Sequence, residues 1–371
     1  RHFNVARMTE GYARLYPQVA AGTVARHEVD SAVDHHVAVS AVSHSGATGG
    51  AGHHQVARAA NARGNGIVLV TNNFSTGGAQ SSARRLLLGL AEQGVRARAV
   101  VLEEQPGYPT AGRQALCDAG IPVLALPLES RRDPGRAVRH VLDWIHQDRP
   151  RAVLFWNAIA EHKLLLADAL FEVAVFDVSP GEMYFSSLER YFTAPRAGLP
   201  YLSPRDYGAR LSGIIVKYAA ERELAARTLG APVHVIANGV PISAAPVALD
   251  RAPPASPTPV PCPVIIGTAV RIHPHKKLDE LLAAFRIVHA HVPAAELHIA
   301  GEPDQGQADH LAALKHGSAD LPVTWLGETA PGDGFLRGLD LFALVAEPAG
   351  CPNASLEAMA VGLPIVATDD G

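Results

Sequence analysis

From Gly66 onward, short apolar runs alternate with longer stretches of helical spacing. The first runs are Ile67-Val68-Leu69-Val70, Val100-Val101-Leu102, Val123-Leu124-Ala125-Leu126 and Val153-Leu154-Phe155-Trp156. Val173-Ala174-Val175-Phe176, Ile214-Ile215-Val216 and Val233-His234-Val235-Ile236 follow. Between them lie amphipathic segments such as those through Leu86, Leu87 and Leu90, or Val138, Val141, Leu142 and Ile145. Strands that are apolar at consecutive positions are buried on both faces, which predicts a parallel sheet covered by helices. A second alternation begins at Val264-Ile265-Ile266, continues through a helix carrying Leu278, Leu281, Leu282 and Phe285, and reaches Leu297-His298-Ile299. Val323-Thr324-Trp325-Leu326, Leu341 to Val345, and Ile365-Val366-Ala367 complete it. The pattern predicts an α/β protein with two Rossmann-like domains, whose ligands lie where strand carboxyl ends face a cleft.

The segments outside this alternation set the boundaries. Residues 1–20 read as one amphipathic helix, with Phe3, Met8, Tyr12, Leu15 and Tyr16 in an apolar stripe. Residues 21–64 are rich in Ala, Gly, Ser and His and predict a flexible linker. The histidine pairs within it, His35-His36 and His53-His54, lack the cysteine or acidic neighbours of a metal site. Residues 65–240 form the first domain. Residues 241–263, crowded with proline, form an interdomain linker, and residues 264–371 form the second domain. The chain starts at Arg1 without methionine and stops just after a strand, so the second domain is expected to be truncated at its C-terminus.

Composition narrows the function classes. A length of 371 residues suits two domains, and a net charge of −4 with scattered Arg and Lys gives no nucleic-acid footprint. Three widely spaced cysteines, Cys117, Cys262 and Cys351, suit a reducing compartment. With no membrane-spanning run and no signal peptide, the expectation is a cytoplasmic protein, with peripheral membrane contact left open.

Candidate chemistry concentrates in residues 347–371, EPAGCPNASLEAMAVGLPIVATDDG. Here a polar loop opens onto a short helix, with Asn353 and Ser355 as helix-starting residues, and a strand follows. A helix N-terminus offers unpaired N–H groups and partial positive charge to a phosphate, and Glu357, one turn inside, suits sugar hydroxyls. A second cluster lies in VRIHPHKKLDELLAAF, residues 270–285, with Arg271 at a strand end and Lys276 at a helix start. Two cations there suit a diphosphate, Arg through a bidentate fork and Lys as a point charge. Gly77-Gly78 after the first strand is a turn or a further phosphate loop. It lacks the G-x-G-x-x-G spacing and the downstream acid of a nicotinamide dehydrogenase.

These motifs resemble those of the retaining GT-B glycosyltransferases, family 4 in particular. The chain carries G-C-P-N, L-E-A-M-A and G-L-P-I-V-A-T-D in the family's order without gaps. Arg271, Pro274, Lys276 and Asp279 match its second motif, while Val270 and Lys277 stand where glycines are usual. The family's first glutamate falls on Ala349, and Glu347, two residues earlier, either substitutes for it or does not. Residues 1–20 resemble the family's closing helix, which implies a piece of a tandem protein with a glycosyltransferase module upstream; an unrelated leader helix is the alternative.

The resemblance implies a transferase of sugar from a nucleotide-diphosphate donor to a hydroxyl of a glycan or glycolipid, in cell-surface polysaccharide or glycolipid biosynthesis. It implies no metal and no cofactor beyond the donor itself. Arg271, Lys276, Glu347 and Glu357 would be catalytic. Gly77, Gly78, Gly350, Cys351, Pro352, Asn353, Ser355 and Leu356 would bind the donor. On the acceptor side the candidates are Asn157, His162, Asp177 and Glu182, with helix capping as the alternative for Asp177. Asn238-Gly239-Val240 is a turn first and a site second. A non-catalytic sugar-nucleotide-binding module, and a GT-B epimerase or phosphorylase, are the competing readings.

Overall fold

The computed structural model describes residues 5–181, 183–194, 200–242, 263–329 and 334–369, apart from 21–65. The predicted linker, most of the proline-rich segment and Glu182 lie outside the described residues.

The first sheet comprises β1 (Gly66–Thr71), β2 (Arg96–Val101), β3 (Val123–Ala125), β4 (Ala152–Trp156), β5 (Ala174–Val178), β6 (Gly213–Val216) and β7 (Val233–Val235). Helix α1 (Val5–Ala20) precedes it, and α2 (Gly78–Glu92), α3 (Ala111–Asp118), α4 (Leu128–Arg132) and α5 (Pro134–His146) connect the early strands. The later connections are α6 (Ala160–Ala169), α7 (Met183–Thr193), α8 (Pro204–Gly208) and α9 (Glu221–Leu229). The second sheet comprises β8 (Val264–Ala269), β9 (Ala295–Ala300), β10 (Val323–Gly327), β11 (Leu341–Leu344) and β12 (Ile365–Ala367). Its helices are α10 (Leu278–His291), α11 (Ala308–Gly317), α12 (Gly334–Arg337) and α13 (Asn353–Ala360).

Both sheets are parallel throughout. Their orders are β3-β2-β1-β4-β5-β6-β7 and β10-β9-β8-β11-β12. Each order reverses beside its first strand, between β1 and β4 and between β8 and β11. Loops leaving those strands part to opposite faces of the sheet and open a crevice at the carboxyl ends. The alternating burial of β1 shows how the sheet makes two cores. Val68 and Val70 join one apolar layer with Phe155 and Val141, while Ile67 and Leu69 join the other with Leu86 and Trp156. The continuous apolar reading of these strands is the consequence of having helices on both sides.

Helix α1 belongs to the second of these layers. Met8 and Tyr12 are buried, and Thr9 packs so closely on α2 that a Cβ on Gly89 would meet its hydroxyl at 2.4 Å. The backbone N–H of Val5 donates to Val240 O, and that of Gly239 to Met8 Sδ. The predicted stripe is therefore real at Met8 and Tyr12, and its target is the first domain.

Candidate active site

Four loops converge at the two switch points. Gly77-Gly78 follows β1, Asn157 follows β4, Arg271 follows β8, and residues 347–352 follow β11. The second-domain loops are bound to each other. The backbone N–H of Glu347 donates to His275 O at 3.1 Å, and Lys277 Nζ meets Glu347 Oε2 at 3.0 Å and Glu280 Oε1 at 2.9 Å. Lys277 occupies φ 44°, ψ 38°, the left-handed region that favours glycine. A lysine thus takes the turn where the family pattern has a glycine, and its side chain tethers the exposed Glu347. Val270 needs no such conformation. The close approach beside it falls on Gly301, where a Cβ would lie 1.8 Å from Val270 O.

Arg271 is exposed and pairs with Asp304 at 3.0 Å. Lys276, in the 3-10 turn Pro274–Lys276, is more enclosed. Burial lowers its pKa, the nearby Arg271 lowers it further, and Asp304 opposes both. Arg271 therefore holds the carboxylate while Lys276 feels the charges of both, and an anionic ligand would relieve the repulsion between the two cations.

The loop and α13 also face the first domain. Helix α13 begins at Asn353 with Pro352 as its cap residue and no side-chain capping bond. This corrects the expected capping role. Asn353 instead reaches across the cleft, its Nδ2 donating to Gly78 O at 2.8 Å and to Ser82 Oγ at 2.9 Å. Arg85 of α2 pairs with Glu357 of α13, and Thr76 Oγ1 donates to Glu328 Oε1 at 2.8 Å. Asn238 Nδ2 donates to Cys351 O at 2.8 Å, and the Tyr218 ring backs Gly350, whose φ is +65°. The N-termini of α2 and α13 consequently meet across the cleft, two partial positive charges that favour an anion nearby. Ser355 and Leu356 are buried inside the first turn of α13, so they support the loop from within.

The acceptor-side candidates divide. Asn157 is exposed at the end of β4, in the left-handed region at φ 52°. Asp177 is buried at 1% exposure, which corrects its placement at the cleft. Its carboxylate accepts from Lys163 Nζ at 2.9 Å, from Tyr207 Oη at 2.8 Å and from Tyr184 Oη. That knot ties β5 to α6, α7 and α8. Nor does Asp177 cap a helix, since its other oxygen accepts from Val178 N. His162 is likewise buried, at 3% exposure on α6.

Residues 263–371 match a family model described as glycosyl transferases group 1. Among solved structures, Anabaena HepE in complex with UDP and glucose is 19% identical, covering 82% of this chain and 81% of that one, with a TM-score of 0.61. Sucrose-phosphate synthase from Thermosynechococcus elongatus is 16% identical over 83% and 82% of the two chains, with a TM-score of 0.61. The lipopolysaccharide outer core galactosyltransferase WaaB, in its apo form, is 15% identical over 82% and 81%, with a TM-score of 0.54. A search of curated proteins finds no match. The chain has the GT-B glycosyltransferase fold, and its second domain carries the group 1 family pattern. Among the described residues no helix is long and apolar enough to cross a membrane.

Sequence reasoning missed Arg85, Ser82, Lys217 and Tyr218, which join the site from more than a hundred residues away in the chain. Arg85 alone left a local signal, a cation about two turns into the helix that follows Gly77-Gly78.

Proposed function

We propose that this protein is a retaining glycosyltransferase that moves a sugar from a UDP-linked donor to an acceptor hydroxyl in cell-surface polysaccharide or glycolipid assembly. The observation that carries the reading is the pair of cations Arg271 and Lys276 on a loop bound to the Glu347 loop through the Glu347 N–H to His275 O bond, ahead of the helix that contains Glu357. The second domain, 264–371, receives the donor, and the first, 65–240, the acceptor. Arg271 and Lys276 take the diphosphate, Glu357 the ribose hydroxyls, and backbone groups of residues 350–353 the sugar. The bond from the anomeric carbon to the diphosphate breaks, the acceptor oxygen attacks from the same face, and its proton passes to the departing phosphate. Charge grows on the diphosphate as that bond lengthens, which is where two fixed cations in a closed cleft act most strongly. The neighbour bound to UDP and glucose supports the choice of UDP. Asn157 is the exposed acceptor-side candidate.

Incubation with UDP-glucose and other UDP sugars, with UDP release and product anomer measured, tests this. Transfer with retained configuration is expected, and inversion or isomerisation of the donor alone would overturn it. A second reading, a module that binds the donor without transferring it, is favoured by Ala349 and by the tether of Glu347 to Lys277. Binding with no UDP release under any acceptor would establish that reading. Loss of transfer in Glu347→Gln would instead show that this carboxylate takes part.

A further inference from the structure

Behind the candidate donor loop lies a buried cation that the proposed reaction does not use. Lys217, just past β6, is 4% exposed. Its Nζ donates to Tyr12 Oη at 2.9 Å and sits 4.0 Å from the centre of the Trp156 ring. Tyr12 in turn stacks on Trp156, with ring centres 6.0 Å apart and planes at 29°. A lysine ammonium has three N–H donors, and among the described residues Tyr12 is its hydrogen-bond acceptor. Burying a charge so sparsely satisfied is costly, and an unbranched apolar side chain would fill the same space without that penalty.

The location gives the charge a use. Tyr218, next to Lys217 along the chain, packs its ring on Gly350, Asn238 holds the carbonyl of Cys351, and Lys217 interacts electrostatically with Cys351. We propose that Lys217 is a positioning residue that places a fixed positive charge behind residues 350–353, and that α1 is the clamp that holds it there. In a water-poor site such a charge adds to the positive end of α13 and favours an anionic ligand on the opposite side of the loop. Helix α1 thereby becomes part of the donor site, although it lies ahead of the whole first sheet in the chain. The inference rests on the donor-binding reading above.

The groups facing Lys217 are Tyr12 on α1, Glu221 on α9 and Cys351 on the loop. Burial draws the lysine pKa down to about 7, with Cys351 and Glu221 opposing. Burial holds the Tyr12 phenol well above its ordinary value, so it stays neutral. Burial also raises the Cys351 thiol, and Lys217 pulls it back down.

The experiment compares wild type with Lys217→Met and Tyr12→Phe in the full chain. UDP-glucose binding, thermal unfolding, and iodoacetamide labelling of Cys351 followed by peptide mass spectrometry are measured from about pH 6 to about pH 9. Wild-type affinity is expected to decline above about pH 7; Lys217→Met is expected to bind UDP-glucose severalfold more weakly at the acid end, to lack that decline, and to unfold at an equal or higher temperature. Its Cys351 should label more slowly, because the thiolate loses its cation. Tyr12→Phe should weaken binding and slow Cys351 labelling to a smaller extent, but it should lower the unfolding temperature, because it leaves the Lys217 ammonium without its phenol acceptor. Unchanged affinity in Lys217→Met would overturn the proposal. Faster Cys351 labelling together with a lower unfolding temperature would also overturn it, since that is what a merely structural lysine would give. Should wild type bind no UDP sugar, the donor reading falls, and Cys351 labelling still decides whether Lys217 acts on the loop.

Discussion

Arg85 on α2 holds Glu357 on α13 across the cleft, and Glu357 is the carboxylate assigned to the donor ribose. Under the proposed donor role of Glu357, a donor would displace a guanidinium from the carboxylate it uses. The pair is partly exposed, with side-chain exposures of 17% and 37%, so it is worth about 1 kcal/mol or less. Arg85→Gln is expected to tighten UDP-sugar binding a few-fold by titration calorimetry, whereas Glu357→Gln should weaken it. A weaker Arg85→Gln would show that the arginine contacts donor rather than competing with it.

Arg271 and Lys276 should carry the leaving group together. Replacing both by alanine is expected to lower turnover by a factor on the order of a hundred or more, as for loss of a preorganised charge in an active site. Arg271→Lys should recover part of this, since it keeps charge and loses the bidentate fork. Turnover of UDP sugar by the double variant at the wild-type rate would remove both from the site.

Asp177 should behave as a structural acid. Asp177→Ala strands the buried Lys163 ammonium and is expected to destabilise by about 3–5 kcal/mol in chemical denaturation. Combining it with Lys163→Met removes the stranded charge and should restore much of the loss. An acceptor-binding aspartate would instead lower activity with little change in stability.

The pH dependence of stability follows from Lys217. Its folded pKa, about 7, lies below the ordinary 10.5. Between those values the unfolded chain binds the extra proton, so this group makes stability rise with pH across that window and contributes no slope below it. Denaturation midpoints at about pH 7 and about pH 9 should differ more in wild type than in Lys217→Met.

The strands and their parallel arrangement were legible because each is a local pattern of apolar runs and spacing, and the proposed site residues Arg271, Lys276 and Glu357 likewise rest on local motifs. Asp177 was misplaced although a signal existed. It interrupts the run Val175-Phe176-Asp177-Val178, and an acid inside a strand buried on both faces must find partners within the protein. Asn353 was read as a helix cap because that is the local use of asparagine. Its actual partners, Gly78 and Ser82, lie in the other domain, and no spacing along the chain predicts them. Lys217 was hidden for the same reason, since its meaning depends on Tyr12, 205 residues earlier.

Where α2 meets α13, Asn353 and Glu357 are already occupied by Ser82, Gly78 and Arg85. Under the proposed function, nucleotide entry would be an exchange of partners more than a gain of them. The heat released on binding should accordingly be smaller than the number of new contacts suggests, with the balance returned as freedom of one domain to move against the other.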